Sequence, residues 1–256
     1  MNEEPLLKQE IQDSTLLLTL NRPAKRNAIS DALLLELENK LDSLPAEIKC
    51  ILIHAEGDHF SAGLDLSELK ERNMAEGLEH SRMWHRVMDK IQFCRVPVIA
   101  LLKGACVGGG LEIAAAAHIR VAEESAYYAL PEGMRGIFMG GGGSIRIPKL
   151  IGVAAMTDMM LTGRILSAEE GQQKGLTQYL TPPGEGLNTA LQLAKRISGN
   201  GEMTTYAVLQ VLPKIQDLPH EEASRLESEI AAKAQDSPEA KKRLREFLEG
   251  RAAKVK

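Results

Sequence analysis

The sequence predicts an α/β layered core followed by an all-helical C-terminal region. Three observations carry that expectation. Over the first two-thirds of the chain, short β-rich runs alternate with stretches of helical periodicity, the pattern of a layered α/β domain. From about Gly186 onward the β signal vanishes and the remaining segments read as helices. In between, one apolar strand runs through three consecutive glycines into an alanine-rich helix, a change of state within a few residues.

The elements follow in order. "TLLLTL" (15–20) and "CILIHA" (50–55) read as strands, as does "VPVIALL" (96–102). "HIRVA" (118–122) and "LTQYL" (176–180) are shorter strand candidates. Asp31 to Leu41 and Leu78 to Phe93 carry helical spacing of apolar residues. "SAEEGQQKG" (167–175) opens with a capping box, Ser167 with Glu170 three residues on, and Gly175 offers the stop. A late helix starts at Pro238, with Ser237 as N-cap and proline in the first turn.

Composition narrows the function. The 256 residues allow one large domain or a domain with an appendage. At 44% hydrophobic and 26% charged, the chain reads as an ordinary soluble globular protein. A formal net charge of -4 argues against a general affinity for nucleic acid or anionic membrane. The start, "MNEEPLLKQE", lacks the apolar core of a secretory signal, and no run of about 18 apolar residues predicts a span. Cys50, Cys94 and Cys106 form no CxxC pair and sit in or beside apolar segments, which fits a reducing, cytoplasmic setting. The six histidines show no paired metal spacing, so no metal is expected.

The chemistry concentrates in "GACVGGGLEIAAAA" (104–117). A helix starting near Gly109 or Gly110 leaves its first N–H groups without intrahelical partners, and the dipole adds partial positive charge there. Such an end suits a developing oxyanion, and Glu112 stands in the first turn beside it. A tightly packed glycine helix with a favourable first-turn acid explains the same letters. Twenty residues on, Glu132 follows Pro131 in "YYALPEGMRGI", where apolar company favours the protonated acid. In "HFSAGLDLSEL" (59–69), Gly63 precedes Leu64 and Asp65, by itself an ordinary loop into a helix start. The second glycine run, "GIFMGGGGSIRIP" (136–148), lacks the Gly-Lys-Ser/Thr of a P-loop, and neither GxGxxG nor GxSxG occurs at these sites.

Together, "NRPAKRNAIS", "FSAGLDL", "GACVGGGLEIAAAA" and "LPEGMRGI" resemble the enoyl-CoA hydratase/isomerase (crotonase) superfamily, in its order and spacing over nearly the whole chain. The resemblance implies a spiral core of repeated β-β-α units over residues 1–195 and a C-terminal helical trimerisation region over 196–256. It implies an acyl-CoA substrate, no separate cofactor, and a homotrimer or dimer of trimers. Glu112 and Glu132 match the two glutamates that hold a water between them in the hydratases. The backbone N–H groups of Leu64 and Gly109 match the oxyanion hole, where losing one donor typically costs about 3 kcal/mol. Arg22, Lys25, Arg26, Ala62, Asp65 and Leu66 match positions contacting CoA. Phe247 matches an aromatic that a neighbouring subunit places near the adenine, whereas Gly250 stands where a lysine is expected.

Both glutamates tilt the expectation toward hydration, because isomerases of the family commonly keep only the second. The run "ALPEGMRGIFMGGGGSIRIPKLIG" departs from the "PEI-LG" pattern and is similar to the methylthioacryloyl-CoA hydratase branch. A short-chain 2-enoyl-CoA hydratase, a CoA thioester hydrolase, an isomerase and a non-catalytic acyl-CoA-binding protein are the alternatives. Met83, Trp84 and Met88 are candidates for an acyl pocket or for core, and segments 70–80 and 133–143 for its walls.

Overall fold

The computed structural model describes residues 4–68 and 71–251. The chain divides into two compact units, residues 1–198 and 199–256.

In the first unit, six strands form one sheet: β1 (Leu7–Gln12), β2 (Thr15–Leu20), β3 (Cys50–Ala55), β4 (Val98–Leu102), β6 (Ile119–Glu123) and β9 (Tyr179–Thr181). β1 pairs antiparallel with β2, and every later pairing in that order is parallel. A second sheet joins β5 (Ala105–Val107), β7 (Tyr127–Ala129) and β8 (Leu166–Ser167). A long strand in the first sheet thus leads to a short one in the second and then into a helix. β4, β5 and α3 (Gly109–Ala116) make one such β-β-α turn, and β6 and β7 start the next.

The apolar runs explain the large sheet. All six residues of β2 are buried, as parallel strands covered on both faces require. Leu16, Leu18 and Leu20 face the main core with Ile51, Ile53 and Val98. Leu17, Leu52, Ile99 and Val121 face the other side, where Ala190, Leu193 and Ala194 of α7 (Gly186–Ser198) cover them. The main core is closed by α1 (Asp31–Asp42), α2 (Met74–Gln92) and α3.

Several boundaries differ from those the sequence suggests. α2 begins at Met74, not Leu78, because Asn73 and Glu76 form a reciprocal capping box. The strand expected at 176–180 pairs only over Tyr179–Thr181, while Leu176 is buried against the main core. β4 starts at Val98 and β6 runs to Glu123. α6 (Ala168–Gln173) starts at the Ser167–Glu170 capping box.

The second unit is helical among the described residues. A short helix at Glu202–Tyr206 continues through a wider turn to Leu212–Ile215, followed by His220–Asp236 and Pro238–Leu248. Ser237 caps the last, accepting from the Ala240 N–H at 3.1 Å.

Candidate active site

α3 is short and entirely buried, so its glycines serve packing as well as exposure of backbone. A Cβ on Gly109 would stand 2.6 Å from the Trp84 ring, and one on Gly110 would stand 2.7 Å from Ser61. At the far end, buried Arg120 donates to the carbonyls of Ala114, Ala117 and Leu176, satisfying a terminus that lies out of reach of water. The helix is thereby fixed at both ends, and Glu112 projects from its first turn.

Two strand-like segments bring the other backbone groups to this helix start. Ser61 bridges to Cys106, and Ile29 bridges to Leu64. Ile29 N–H donates to Gly63 O and Asp65 N–H to Ile29 O, each at 2.8 Å. Successive N–H groups in extended chain point to opposite sides, so that of Leu64 faces away from Ile29. Gly63 (φ +89°) presses on the next segment: a Cβ there would lie 2.8 Å from Val107 O and 3.5 Å from Gly109 N. Among the described residues, neither the Leu64 nor the Gly109 N–H is tied to a protein acceptor.

These groups open on one cavity of about 550 Å³, whose lining includes Leu64, Gly109, Glu112, Glu132 and Trp84. The segments 70–80 and 133–143 contribute Arg72, Gly77, His80 and residues 137–141. Trp84 lines the cavity, whereas Met88 is fully buried in the core and Met83 packs beside it.

Glu112 and Glu132 are only 5% and 8% exposed. Glu112 Oε1 accepts from Gly141 N–H at 2.9 Å and Gly143 N–H at 2.8 Å. Burial nonetheless raises its carboxyl to about 7; the two amides and Arg146 pull it down, and the neighbouring Glu132 charge pushes it up. Burial outweighs the first-turn dipole that favours the ionised form. Glu132 is also raised, chiefly by burial, with nearby Arg135 opposing. Its Oε2 is buried and has no hydrogen-bond partner among the described residues. One carboxylate thus holds two backbone donors suited to an anion, and the other has no donor at Oε2 among the described residues. Both carboxyls line the cavity, and because the charge of one raises the other their titrations are linked.

The expected CoA contacts divide into two sets. Arg22 is half-buried, donating to Ala28 O and to Asp65 Oδ2, both at 2.6 Å. Lys25 reaches the same carboxylate at 3.3 Å and Ser67 at 3.2 Å. These partners hold buried Asp65 well below the usual carboxylate range, Ser67 most of all. Arg22 and Asp65 therefore brace the loop that carries Leu64. Arg26 is exposed in the left-handed region, with its carbonyl accepting from Ala62 N–H at 2.9 Å. Ala62 and Leu66 line the cavity. Phe247, in the second unit, is largely exposed. Among the described residues no cluster of His, Cys, Asp and Glu could hold a metal ion, and no helix is long and apolar enough to cross a membrane.

Sequence reasoning passed over Ser81 and Arg146, and it held Gly141 and Gly143 only as part of the wall segment 133–143, not as donors to Glu112. The second glycine run was the available signal, since four consecutive glycines before a helix indicate close approach of backbone to something.

A two-sheet α/β spiral places two buried carboxylates on one cavity with two backbone amides that lack protein acceptors among the described residues, an arrangement suited to acid–base chemistry beside a developing oxyanion. The sequence profile described as "Enoyl-CoA hydratase/isomerase" matches residues 10–256. An enoyl-CoA hydratase of Mycobacterium tuberculosis is 32% identical over 249 residues, covering 95% of this chain and 93% of that protein. The 2,3-dehydroadipyl-CoA hydratase of Escherichia coli K12 is 36% identical over 211 residues, covering 81% of each. Among solved structures, a candidate enoyl-CoA hydratase from Rhodopseudomonas palustris CGA009 superposes with TM-score 0.94 at 56% identity, over 98% of this chain and 97% of that one. The chain belongs to the enoyl-CoA hydratase/isomerase family, with the crotonase fold.

Proposed function

We propose that the protein hydrates a 2-enoyl-CoA thioester to the 3-hydroxyacyl-CoA, with Glu112 and Glu132 as the acid–base pair. One observation carries the reading: two buried glutamates face one cavity in which the Leu64 and Gly109 amides lack protein acceptors among the described residues. The family relatives named as hydratases support it.

The thioester oxygen sits between those two amides. Glu112, anchored through Oε1, accepts a proton from water at its other oxygen, and the water oxygen bonds to the β-carbon. The π electrons move to the thioester oxygen as an enolate, which the amides stabilise. Glu132 then donates its proton to the α-carbon as the carbonyl re-forms. One proton has moved from water to Glu112 and one from Glu132 to product, and transfer from Glu112 to Glu132 resets the pair.

CoA lies along Ala62 and Leu66, with exposed Lys25 and Arg26 meeting its phosphates and Arg22 and Asp65 bracing the loop. Phe247 of a neighbouring copy packs on the adenine in a homotrimer or dimer of trimers. Exposed Leu244, Phe247 and Leu248 on the last helix support such self-association, and light scattering measures it.

Crotonyl-CoA and a thio-substituted acryloyl-CoA test the reaction directly. Loss of the conjugated thioester absorbance with uptake of solvent oxygen supports hydration. Dominant release of free CoA thiol would replace the proposal with hydrolysis, and conversion of 3-enoyl to 2-enoyl ester with isomerisation. Tight ester binding without turnover would leave a binding protein.

A further inference from the structure

The glycine segment 140–143 is the unusual part of the site, because its backbone supplies both donors to Glu112. Glycine is the residue least able to hold a peptide plane in one orientation by itself. Something else must therefore aim these amides.

Three successive peptide planes are each pinned at the carbonyl. The Gly140 carbonyl, whose plane carries the Gly141 N–H, accepts from Ser81 Oγ of α2 at 2.7 Å. The Gly141 carbonyl accepts from Arg146 Nη1 at 3.1 Å. The Gly142 carbonyl, whose plane carries the Gly143 N–H, accepts from the Ile145 and Arg146 N–H groups that open α4 (Gly143–Ile151). The first and third planes aim their N–H groups at Glu112 Oε1. The middle plane connects them, and its orientation depends on the guanidinium.

Arg146 is itself held. It is 6% exposed, its Nη2 donates to Asp89 at 2.5 Å, and its Nε donates to Gln92 at 2.6 Å. Both partners belong to α2, as does Ser81, so one helix supplies the frame for the loop. The guanidinium fork suits this task, since it donates in fixed directions that an ammonium group cannot reproduce. Gly142 completes the fit: its φ is +90°, and a Cβ there would collide with the same guanidinium nitrogen.

We infer that Ser81 and Arg146 are positioning residues for Glu112, clamping the 140–143 peptides so that two amides converge on one carboxylate oxygen. Neither touches the reacting atoms through this role. The inference rests on the assignment of Glu112 as the base, and the test separates the two.

Ser81→Ala, Arg146→Gln and Arg146→Lys are each made alone and with Glu112→Gln, and kcat, KM and the pH profile are measured. With Glu112 present, kcat falls about 5-fold for Ser81→Ala, one neutral hydrogen bond. It falls about 10²-fold for Arg146→Gln, the effect of a misplaced catalytic group. KM changes little. Because the amides and Arg146 favour the carboxylate form, the acidic limb of the profile moves to higher pH in Ser81→Ala and Arg146→Gln. Arg146→Lys keeps the charge without the fork and does not restore kcat. In the Glu112→Gln background none of the three lowers the residual rate further, since coupled residues are not additive.

Equal losses in both backgrounds, or an unmoved acidic limb, would overturn the clamp and leave these residues merely structural. So would full rescue by lysine. If Glu112→Gln alone runs near the wild-type rate, the base assignment fails independently of the clamp. Ser81→Ala removes one oxygen from a half-buried site and keeps the test available should an Arg146 variant fold poorly.

Discussion

The carboxylate of Glu132 lies against the α-carbon of Gly108, where a Cβ would stand only 2.7 Å from Oε1. The same residue's carbonyl accepts the Glu112 N–H at 3.0 Å, and its N–H donates to Ala129 O at 2.9 Å. Gly108 is thus the backbone element common to both carboxylates.

Its backbone also demands glycine, with φ at +51° and ψ at -121°. Gly108→Ala is expected to displace Glu132 and lower kcat by about 10²-fold, the usual effect of shifting a catalytic group by about 1 Å. Steady-state kinetics beside a melting curve checks this. Retention of full kcat in a folded variant would mean that Glu132 need not occupy its observed place.

The rate should depend on pH through both carboxyls. Glu112 must be ionised to accept water's proton, so kcat/KM falls as pH drops through about 7. Glu132 must be protonated to serve the α-carbon, and its carboxyl is raised as well, so a second limb appears as it ionises. The active form holds one proton between the two, and the limbs belong to the pair. A profile flat between pH 5 and 8 would contradict this.

Stability carries the same signature with a definite sign. Glu112 sits at about 7 when folded and 4.5 when unconstrained, so its contribution is fully present below 4.5 and lost as pH rises through 7. Glu112→Gln removes that loss. The variant should be more stable than the parent at pH 8, by on the order of 3 kcal/mol, with the gain shrinking toward pH 5. Denaturant melts at the two pH values measure it, and an equal effect at both would rule out the buried charge.

How much of this was legible in the letters depended on the length and consistency of each local signal. β2 and β3 stand at their expected bounds because β2 is six apolar or β-branched residues in a row and β3 departs from that pattern only at His54. The helix start near Gly109 and the Ser167–Glu170 capping box were equally plain, whereas the Asn73–Glu76 box just ahead of the apolar spacing was passed over. β1 escaped notice because "LKQEIQ" is an edge strand, exposed at five of six positions and without an apolar run. β5 and β7 are three residues each, too short for alternation to register. α4 carries Pro148 inside it and glycines before it, breaker signals that tertiary packing overrides. The clamp on Glu112 was out of reach for another reason: Ser81, Gly141 and Arg146 become neighbours only when α2 packs beside the start of α4.

The most direct test of the central claim is turnover of one 2-enoyl-CoA ester by the parent, Glu112→Gln and Glu132→Gln, with ester affinity measured in parallel. Each substitution should lower kcat by roughly 10²–10⁴-fold, the range for a positioned acid or base, while fold and CoA-ester affinity are retained. A Glu112→Gln enzyme that hydrates at the parental rate would contradict the two-carboxylate mechanism.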